Sequence, residues 1–383
     1  MRICFIEDTP LHGGTQIWVT EATQAFMARG EDVTVLAPTG SWVSKKCAEV
    51  GAQTVTYDWN AVVNQSIEHI KIWTEALSGC DVAVCTVHPP REEFHCSVFA
   101  AKCIKEGNLN TYLIPKTGTI VPEYLREFYL PDESINFSII TITRFTQQYL
   151  IDTYEIPADN IRLIYQGTDV DRFQSTEAGK REAVKRYPLP SHASPILASI
   201  GSFEHRKGHP ILFEAISKMV AGSLPKVHLM MVGDGPDEKP LKDKVNELAI
   251  ERNVSFFPFT SEPQYVFERA DVTVLPSLYK EGLPNVLLES MSMGVPVVSS
   301  NLGGVSEIVI NGKTGFMIEP GNSEQLADGI LKLWDDQTRY KKMRLNARQL
   351  MKDKFDKEHQ FDQFLKYFRN LLIQSSSTNH VVR

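Results

Sequence analysis

The sequence lacks the marks of several protein classes. Its 40 lysines and arginines are outnumbered by 47 aspartates and glutamates, for a formal net charge of -7. Nucleic-acid binders carry the opposite balance, so neither DNA nor RNA is an expected partner. No window approaches the run of about 20 apolar residues that a membrane span needs. The opening segment, Met1 to Pro10, has one basic residue and a very short apolar run before two acids, unlike a secretory leader. A cytoplasmic protein is expected, with peripheral contact to a membrane surface left open. The cysteines Cys4, Cys47, Cys80, Cys85, Cys96 and Cys103 include no Cys-x-x-Cys pair, so a zinc or redox centre is not signalled. Reduced thiols buried as small hydrophobes are expected. No clustered carboxylates point to a metal, and neither a metal nor a cofactor is expected.

What is present is alternation. At 383 residues the chain is longer than one core usually serves. Short apolar runs alternate with amphipathic helical stretches. The first run, Arg2–Ile6, leads through Gly13-Gly14 into a helical pattern from Thr15 to Arg29, with Trp18, Ala22 and Ala25 on one stripe. Further strands are expected at Val33–Ala37, Gln53–Tyr57, Asp81–Val87, Thr111–Ile114, Ser138–Thr143 and Ile161–Tyr165. This is the pattern of a parallel sheet with helices on both faces. From Arg172 to Ser194 the pattern lapses into polar residues and prolines and reads as a connector. A second series follows at Ile196–Gly201, Val227–Val232, Val254–Phe257, Val272–Leu275, Val295–Ser299 and Phe316–Ile318. Ser323 to Gln374 reads as helical, with Phe361, Phe364, Leu365, Phe368 and Leu371 forming a stripe near its end. The polar Ser375–Arg383 reads as a frayed tail.

Several glycine turns stand where strands run into helices. Gly13-Gly14 lets backbone approach a ligand at a helix start, although a plain tight turn explains it about as well. Gly201-Ser202-Phe203-Glu204-His205-Arg206-Lys207-Gly208 places two cations at a strand end. Arg206 offers paired donors and Lys207 a compact charge, which suits a diphosphate. The bland alternative is a solvated basic loop. Val232-Gly233-Asp234-Gly235-Pro236 follows another strand. The strongest segment is Glu281-Gly282-Leu283-Pro284-Asn285-Val286-Leu287-Leu288-Glu289. Pro284 suits a first helical turn, and unpaired amides around Leu283 and Asn285 suit phosphate oxygens. A glycosidase acid/base pair is another reading of the two glutamates. Gly303-Gly304-Val305-Ser306-Glu307 is one more turn of this kind, with Ser306 a possible cap.

In this order and spacing the segments resemble the retaining GT-B glycosyltransferases of family 4. The Glu-Gly pair, six intervening residues and a second Glu, here Glu281 to Glu289, is that family's hallmark. Gly13-Gly14 and the stretch Asn160–Phe173 also match. The resemblance covers most of the chain and is more specific in its second half. It implies an α/β GT-B fold, two Rossmann-like doubly wound domains facing across a cleft. An acceptor-side domain would span 1–168 and a donor domain 169–360. Residues 361–383 would supply a helix crossing back to the first domain and the frayed tail.

The resemblance also implies roles. Glu281 would contact the transferred sugar near its reacting carbon, with Lys207 and Arg206 neutralising the diphosphate. Glu289 would bind the ribose. Gly282, Leu283, Pro284 and Asn285 would line the phosphate and sugar, with Ser202 and Gly233 beside them. Gly14 would face the diphosphate from the first domain. Where the family usually has an arginine this chain has Ser202. The family's histidine after the fifth strand is missing, and Lys116 and His88, with Gly13, are the acceptor-side candidates. The implied donor is a UDP-hexose or UDP-N-acetylhexosamine. The implied acceptor is a hydroxyl of a glycan, a lipid-linked glycan or a protein, and the leaving phosphate would take its proton. The alternatives are a nonhydrolysing nucleotide-sugar epimerase and a non-catalytic nucleotide-sugar-binding module.

Overall fold

A computed structural model describes residues 1–120 and 123–378. The chain forms two compact units, one of Met1–Tyr165 with the segment from Glu358, the other of Gln166–Lys357. The division thus falls at Tyr165/Gln166 and Lys357/Glu358, against the expected 168/169 and 360/361. In the second unit, Thr168 bridges in parallel to Asp356, so both ends of that unit lie side by side.

The first unit holds a seven-stranded parallel sheet. Its strands are β1 (Arg2–Ile6), β2 (Asp32–Pro38), β3 (Gln53–Tyr57), β4 (Val82–Thr86), β5 (Tyr112–Thr117), β6 (Ile139–Thr141) and β7 (Ile161–Leu163). Their order is β3-β2-β1-β4-β5-β6-β7. Helices cover both faces, so central strands are apolar throughout rather than alternating; every residue of β4 is buried. Strand β5 runs on through Pro115 to Thr117, past the expected end at Ile114.

The helix Gly14–Ala28 buries Trp18, Val19, Ala22 and Phe26. The C-terminal helix, Lys357–Thr378, adds Phe361, Phe364, Leu365 and Phe368 to the same core. Phe26 meets Phe361 edge-on at 5.7 Å, and Trp18 meets Phe364 at 5.3 Å. Each such side chain removed from water contributes about 1.5–3 kcal/mol. Arg29 secures the rim by pairing with Glu358 and Asp362, each at 2.8 Å. The helix continues through Thr378, beyond the fraying expected from Ser375; residues 379–383 lie outside the described residues.

The second unit holds a six-stranded parallel sheet. Its strands are β8 (Ile196–Ile200), β9 (His228–Val232), β10 (Val254–Phe257), β11 (Val272–Leu275), β12 (Val297–Ser300) and β13 (Gly315–Ile318). Their order is β10-β9-β8-β11-β12-β13. The stretch expected as a connector contains a helix, Glu177–Arg186, capped by the Thr176 hydroxyl. It buries only Ala183, so no apolar stripe announced it.

Both sheets reverse direction of growth once, between β1 and β4 and between β8 and β11. Open α/β sheets bind ligands at the carboxyl ends of strands at such reversals. No helix of the described residues is long and apolar enough to cross a membrane.

Candidate functional site

In the second unit, two glycine turns lock together where β8 and β9 end. A Cβ on Gly233 would lie 2.0 Å from the Gly201 carbonyl oxygen, and one on Gly235 would lie 2.5 Å from that of Phe203. The amide of Gly201 donates to Val232 O at 3.0 Å, and that of Phe203 to Asp234 O at 2.6 Å. Ser202 sits half-buried in this turn, and its carbonyl accepts the Glu204 amide at 3.0 Å. The fixed turn leads into a single helical turn, His205–Lys207.

Gly208 then reverses the chain at φ +66°, so close to β11 that a Cβ would lie 2.1 Å from the Pro276 oxygen. The Leu278 amide donates to Arg206 O at 2.8 Å. These contacts bring the cations to the segment after β11. Lys207 Nζ lies 2.6 Å from Glu281 Oε1, and Arg206 Nη1 lies 3.7 Å from the same oxygen. Ser277 donates its hydroxyl to that oxygen at 2.7 Å. Arg206 Nε also pairs with Glu204 at 2.7 Å. The Lys207 and Glu281 side chains are only 14% and 8% exposed, so water screens their pairing weakly. Glu281 Oε2 accepts no hydrogen bond among the described residues.

After Glu281 the chain enters the helix Asn285–Ser292. Pro284 stands at the cap with ψ 118°, one residue outside the helix, rather than in its first turn. Gly303 packs against this entry, where a Cβ would lie 2.0 Å from Glu281 O. The Gly304 amide donates to Gly282 O at 2.8 Å. Gly304, not Ser306, caps the short helix Val305–Ile308. Leu283 is buried, and Asn285 Oδ1 accepts a hydrogen bond from Gln166 Nε2. Glu289 is half-buried one turn further on, about 6 Å along the axis. The structure therefore brings Ser202, Arg206, Lys207, Gly233, Glu281, Gly282, Leu283, Pro284 and Asn285 around one strand-end region. Asp169-Val170-Asp171 has the Asp-x-Asp spacing, but Asp169 Oδ1 accepts the amides of Asp171 and Arg172 in a local turn.

In the first unit, Gly13 is extended and precedes the helix that starts at Gly14. His88 follows β4, but it is not a lone histidine. Its Nε2 lies 2.6 Å from Oε1 of Glu7, a fully buried carboxylate at the end of β1. Gln16 Nε2 donates to Glu7 Oε1 at 3.0 Å, and Thr86 Oγ1 donates to Oε2 at 2.8 Å. Next to it, Asp8 accepts from Tyr57 at 2.8 Å and pairs with Arg91 at 2.9 Å. Burial pushes the Asp8 carboxyl up to about 6, against the pull of Arg91 and Tyr57. Burial would lower the His88 imidazole; the Glu7 carboxylate outweighs it and holds His88 above its ordinary value. Lys116 lies within β5 rather than after it, with Nζ 3.9 Å from the centre of the Trp18 ring. Burial lowers its ammonium to about 7, with Glu7 opposing.

Glu7, Asp8 and Arg91 escaped sequence reasoning. Two acids directly after the first strand of a doubly wound sheet were the available signal. All six cysteines are free, with Cys80 half-buried and the others buried.

The two units together make the GT-B fold, the two-Rossmann-domain class of α/β protein. Over residues 180–350 the chain matches the glycosyl transferases group 1 family. An uncharacterized glycosyltransferase of Haemophilus influenzae is 32% identical over 158 residues, 41% of this chain and 44% of that protein. The alpha-D-kanosaminyltransferase of Streptomyces kanamyceticus is 28% identical over 220 residues, 57% of this chain and 56% of that protein. The chain spans about half the length of the curated relatives it matches. The crystal structure of Anabaena HepE in complex with UDP has a TM-score of 0.84 at 18% identity, covering 97% of this chain and 100% of that one. That likeness is one of fold.

Proposed function

We propose that this chain is a retaining glycosyltransferase that moves a sugar from a nucleoside diphosphate to a hydroxyl acceptor. The observation that carries the reading is the convergence of Lys207 and Arg206 on Glu281 Oε1, beside a helix entry at the reversal of the second sheet. Breaking the bond between sugar and phosphate leaves its electron pair on the diphosphate. Arg206, Lys207 and the amides of the 282–286 turn would stabilise that charge without reorganising. Glu281, with one oxygen held by Lys207 and Ser277, would turn the other to the sugar. Glu289 would hold the ribose and Asn285 the sugar.

UDP is the nucleotide we assign, because the Anabaena protein of the same fold was crystallised with it. The sugar would be a hexose or an N-acetylhexosamine. The acceptor would be a glycan, lipid-linked or protein hydroxyl, met by the first unit. The two protein cations supply the positive charge that a divalent metal would otherwise bring, so transfer should persist in a chelator.

A thermal-shift screen against UDP, GDP, ADP and their sugar conjugates tests this reading. A nucleotide at about 100 times its Kd stabilises the folded state by about 2.7 kcal/mol. A shift with UDP and UDP-sugars supports the assignment. A shift with another nucleotide changes the donor, and no shift with any overturns the donor site.

A further inference from the structure

We propose that Cys80 and Cys4 form a dithiol site that exchanges with small disulfides carrying carboxylate and ammonium groups, at the amino end of the first sheet. The site lies within the first unit and is independent of the transferase reading.

The spacing of these cysteines in the sequence signals no pairing, but the fold brings four of the six into two contacts. Cys85 and Cys96 lie 3.2 Å apart, sulfur to sulfur, and both are buried. Cys4, on β1, is buried as well, and its thiol donates a hydrogen bond to the sulfur of Cys80. Cys80 differs from the other three. It is half-buried and lines a cavity of about 560 Å³. Its sulfur lies 3.3 Å from Ala76 O, at the end of the helix Ile67–Leu77. One thiol of this pair is thus open to a visitor, with its partner directly behind it. That is the arrangement of an attacking and a resolving thiol.

The cavity lies where β1 and β2 begin, opposite the strand ends at which open α/β sheets hold their usual ligands. Arg2, Asp32, Gln53, Glu75 and Ser78 line it together with Cys80. The Arg2 guanidinium packs against Gly79, where a Cβ would lie 2.7 Å from Nη1, so a positive charge stands beside the residue that precedes Cys80. Neither the Arg2 guanidinium nor the Asp32 carboxylate has an ion pair or hydrogen bond among the described residues. An unpaired cation and an unpaired carboxylate in one cavity complement a zwitterion, and the volume is that of a small-ligand site. The same surroundings favour attack by Cys80. The bond from Cys4, with Arg2, holds its thiol below the ordinary value, against burial and the carboxylates of Asp81 and Asp32. Cys96, by contrast, is held well above its ordinary value by its bond with Cys85 and by burial.

The step balances. The Cys80 thiolate attacks one sulfur of the small disulfide; the sulfur–sulfur bond breaks, and its electron pair leaves on the other sulfur, which takes a proton from solvent. Cys4 then gives its proton to solvent and attacks the Cys80 sulfur of the mixed disulfide, expelling the second small thiolate. Cys4 and Cys80 together lose two electrons, and the small disulfide is reduced to two thiols.

The test uses the full chain, reduced, freed of reductant and mixed with glutathione disulfide. Remaining thiols are alkylated and the adducts and bridges located by peptide mass spectrometry. Cys80 should take the first adduct and lose it to a Cys4–Cys80 bridge, while Cys85 and Cys96 stay reduced. Cys4→Ala should hold the adduct on Cys80, and Cys80→Ala should leave Cys4 a free thiol. Arg2→Gln combined with Asp32→Asn should slow the reaction with glutathione disulfide about two- to fivefold relative to that with the uncharged hydroxyethyl disulfide, the reach of exposed charges. No adduct, a first adduct on another cysteine, a first bridge between Cys85 and Cys96, or a Cys80 adduct that persists in the wild type overturns the dithiol site. An unchanged ratio between the two disulfides in the charge variant overturns the zwitterion assignment. The order of events in the wild type decides the dithiol site even where a variant fails to fold.

Discussion

Lys207 and Glu281 stand 74 residues apart in the chain and 2.6 Å apart in space. The contact joins the segment after β8 to the segment after β11. Lys207→Ala and Glu281→Ala should each lower nucleotide release and transfer about 100-fold or more. Melting should fall too, because each change leaves the nearly buried partner charge without its counter-ion, so the rates are compared at a temperature where the variants remain folded. Turnover near wild type in either variant would remove that residue from the mechanism.

Gly303→Ala separates positioning from backbone strain. Gly303 has φ +53°, and its Cβ would lie 2.0 Å from Glu281 O. Gly312 has φ +73° with nothing within 4 Å of its Cβ. Gly312→Ala should cost only the left-handed penalty of about 1–2 kcal/mol. Gly303→Ala should cost more in urea denaturation and also abolish the nucleotide-induced thermal shift. Equal effects from the two would show that the Glu281 turn does not depend on this packing.

Lys116 gives a pH prediction with a definite sign. Its ammonium is lowered from 10.5 to about 7 in the folded chain. Between those values the unfolded chain binds more protons, so the lysine's contribution to stability rises with pH. The slope is about 1.4 kcal/mol per pH unit, tempered by the attraction of the Trp18 ring. Lys116→Met lacks this term. Urea unfolding should show the wild type gaining on the variant by up to about 2 kcal/mol between about pH 7.5 and about pH 9. Parallel pH profiles would mean that Lys116 keeps its proton.

Phe364→Ala should destabilise one unit and spare the other. Phe364 is fully buried in the core shared by the Gly14–Ala28 and Lys357–Thr378 helices. Its truncation should cost about 3–5 kcal/mol. Calorimetry should show the transition of the first unit moving down while the nucleotide-stabilised transition of the second stays. A common downward shift would mean that the two units melt as one.

The strand pattern was readable because parallel strands buried on both faces are continuous apolar runs. The thirteen strands of the described residues lie where such runs occur, with ends that coincide or differ by up to three residues. Pro115 concealed the end of β5, since a proline after an apolar run reads as a turn. The Glu177–Arg186 helix was hidden because ten largely charged residues bury one alanine. The glycine turns of the second unit were legible in outline, but not the reason for them. Gly233 faces Gly201 and Gly303 faces Glu281 through contacts that no local pattern encodes. The Glu7–His88 pairing was illegible for the same reason. Each residue alone looks like a strand end, and only the adjacency of β1 and β4 joins them.

The return of the Lys357–Thr378 helix to the first unit fixes an order of events during synthesis. The first unit is begun by residues made before the 166–357 segment and completed by residues made after it. Its sheet must wait, with the apolar face around Trp18 and Phe26 uncovered, while the intervening 166–357 segment is made. That segment is continuous and holds its own core, so it can close first. A ribosome stalled before the Lys357–Thr378 helix is made would therefore carry a folded 166–357 segment and an unfinished first unit, the kind of species that chaperones capture.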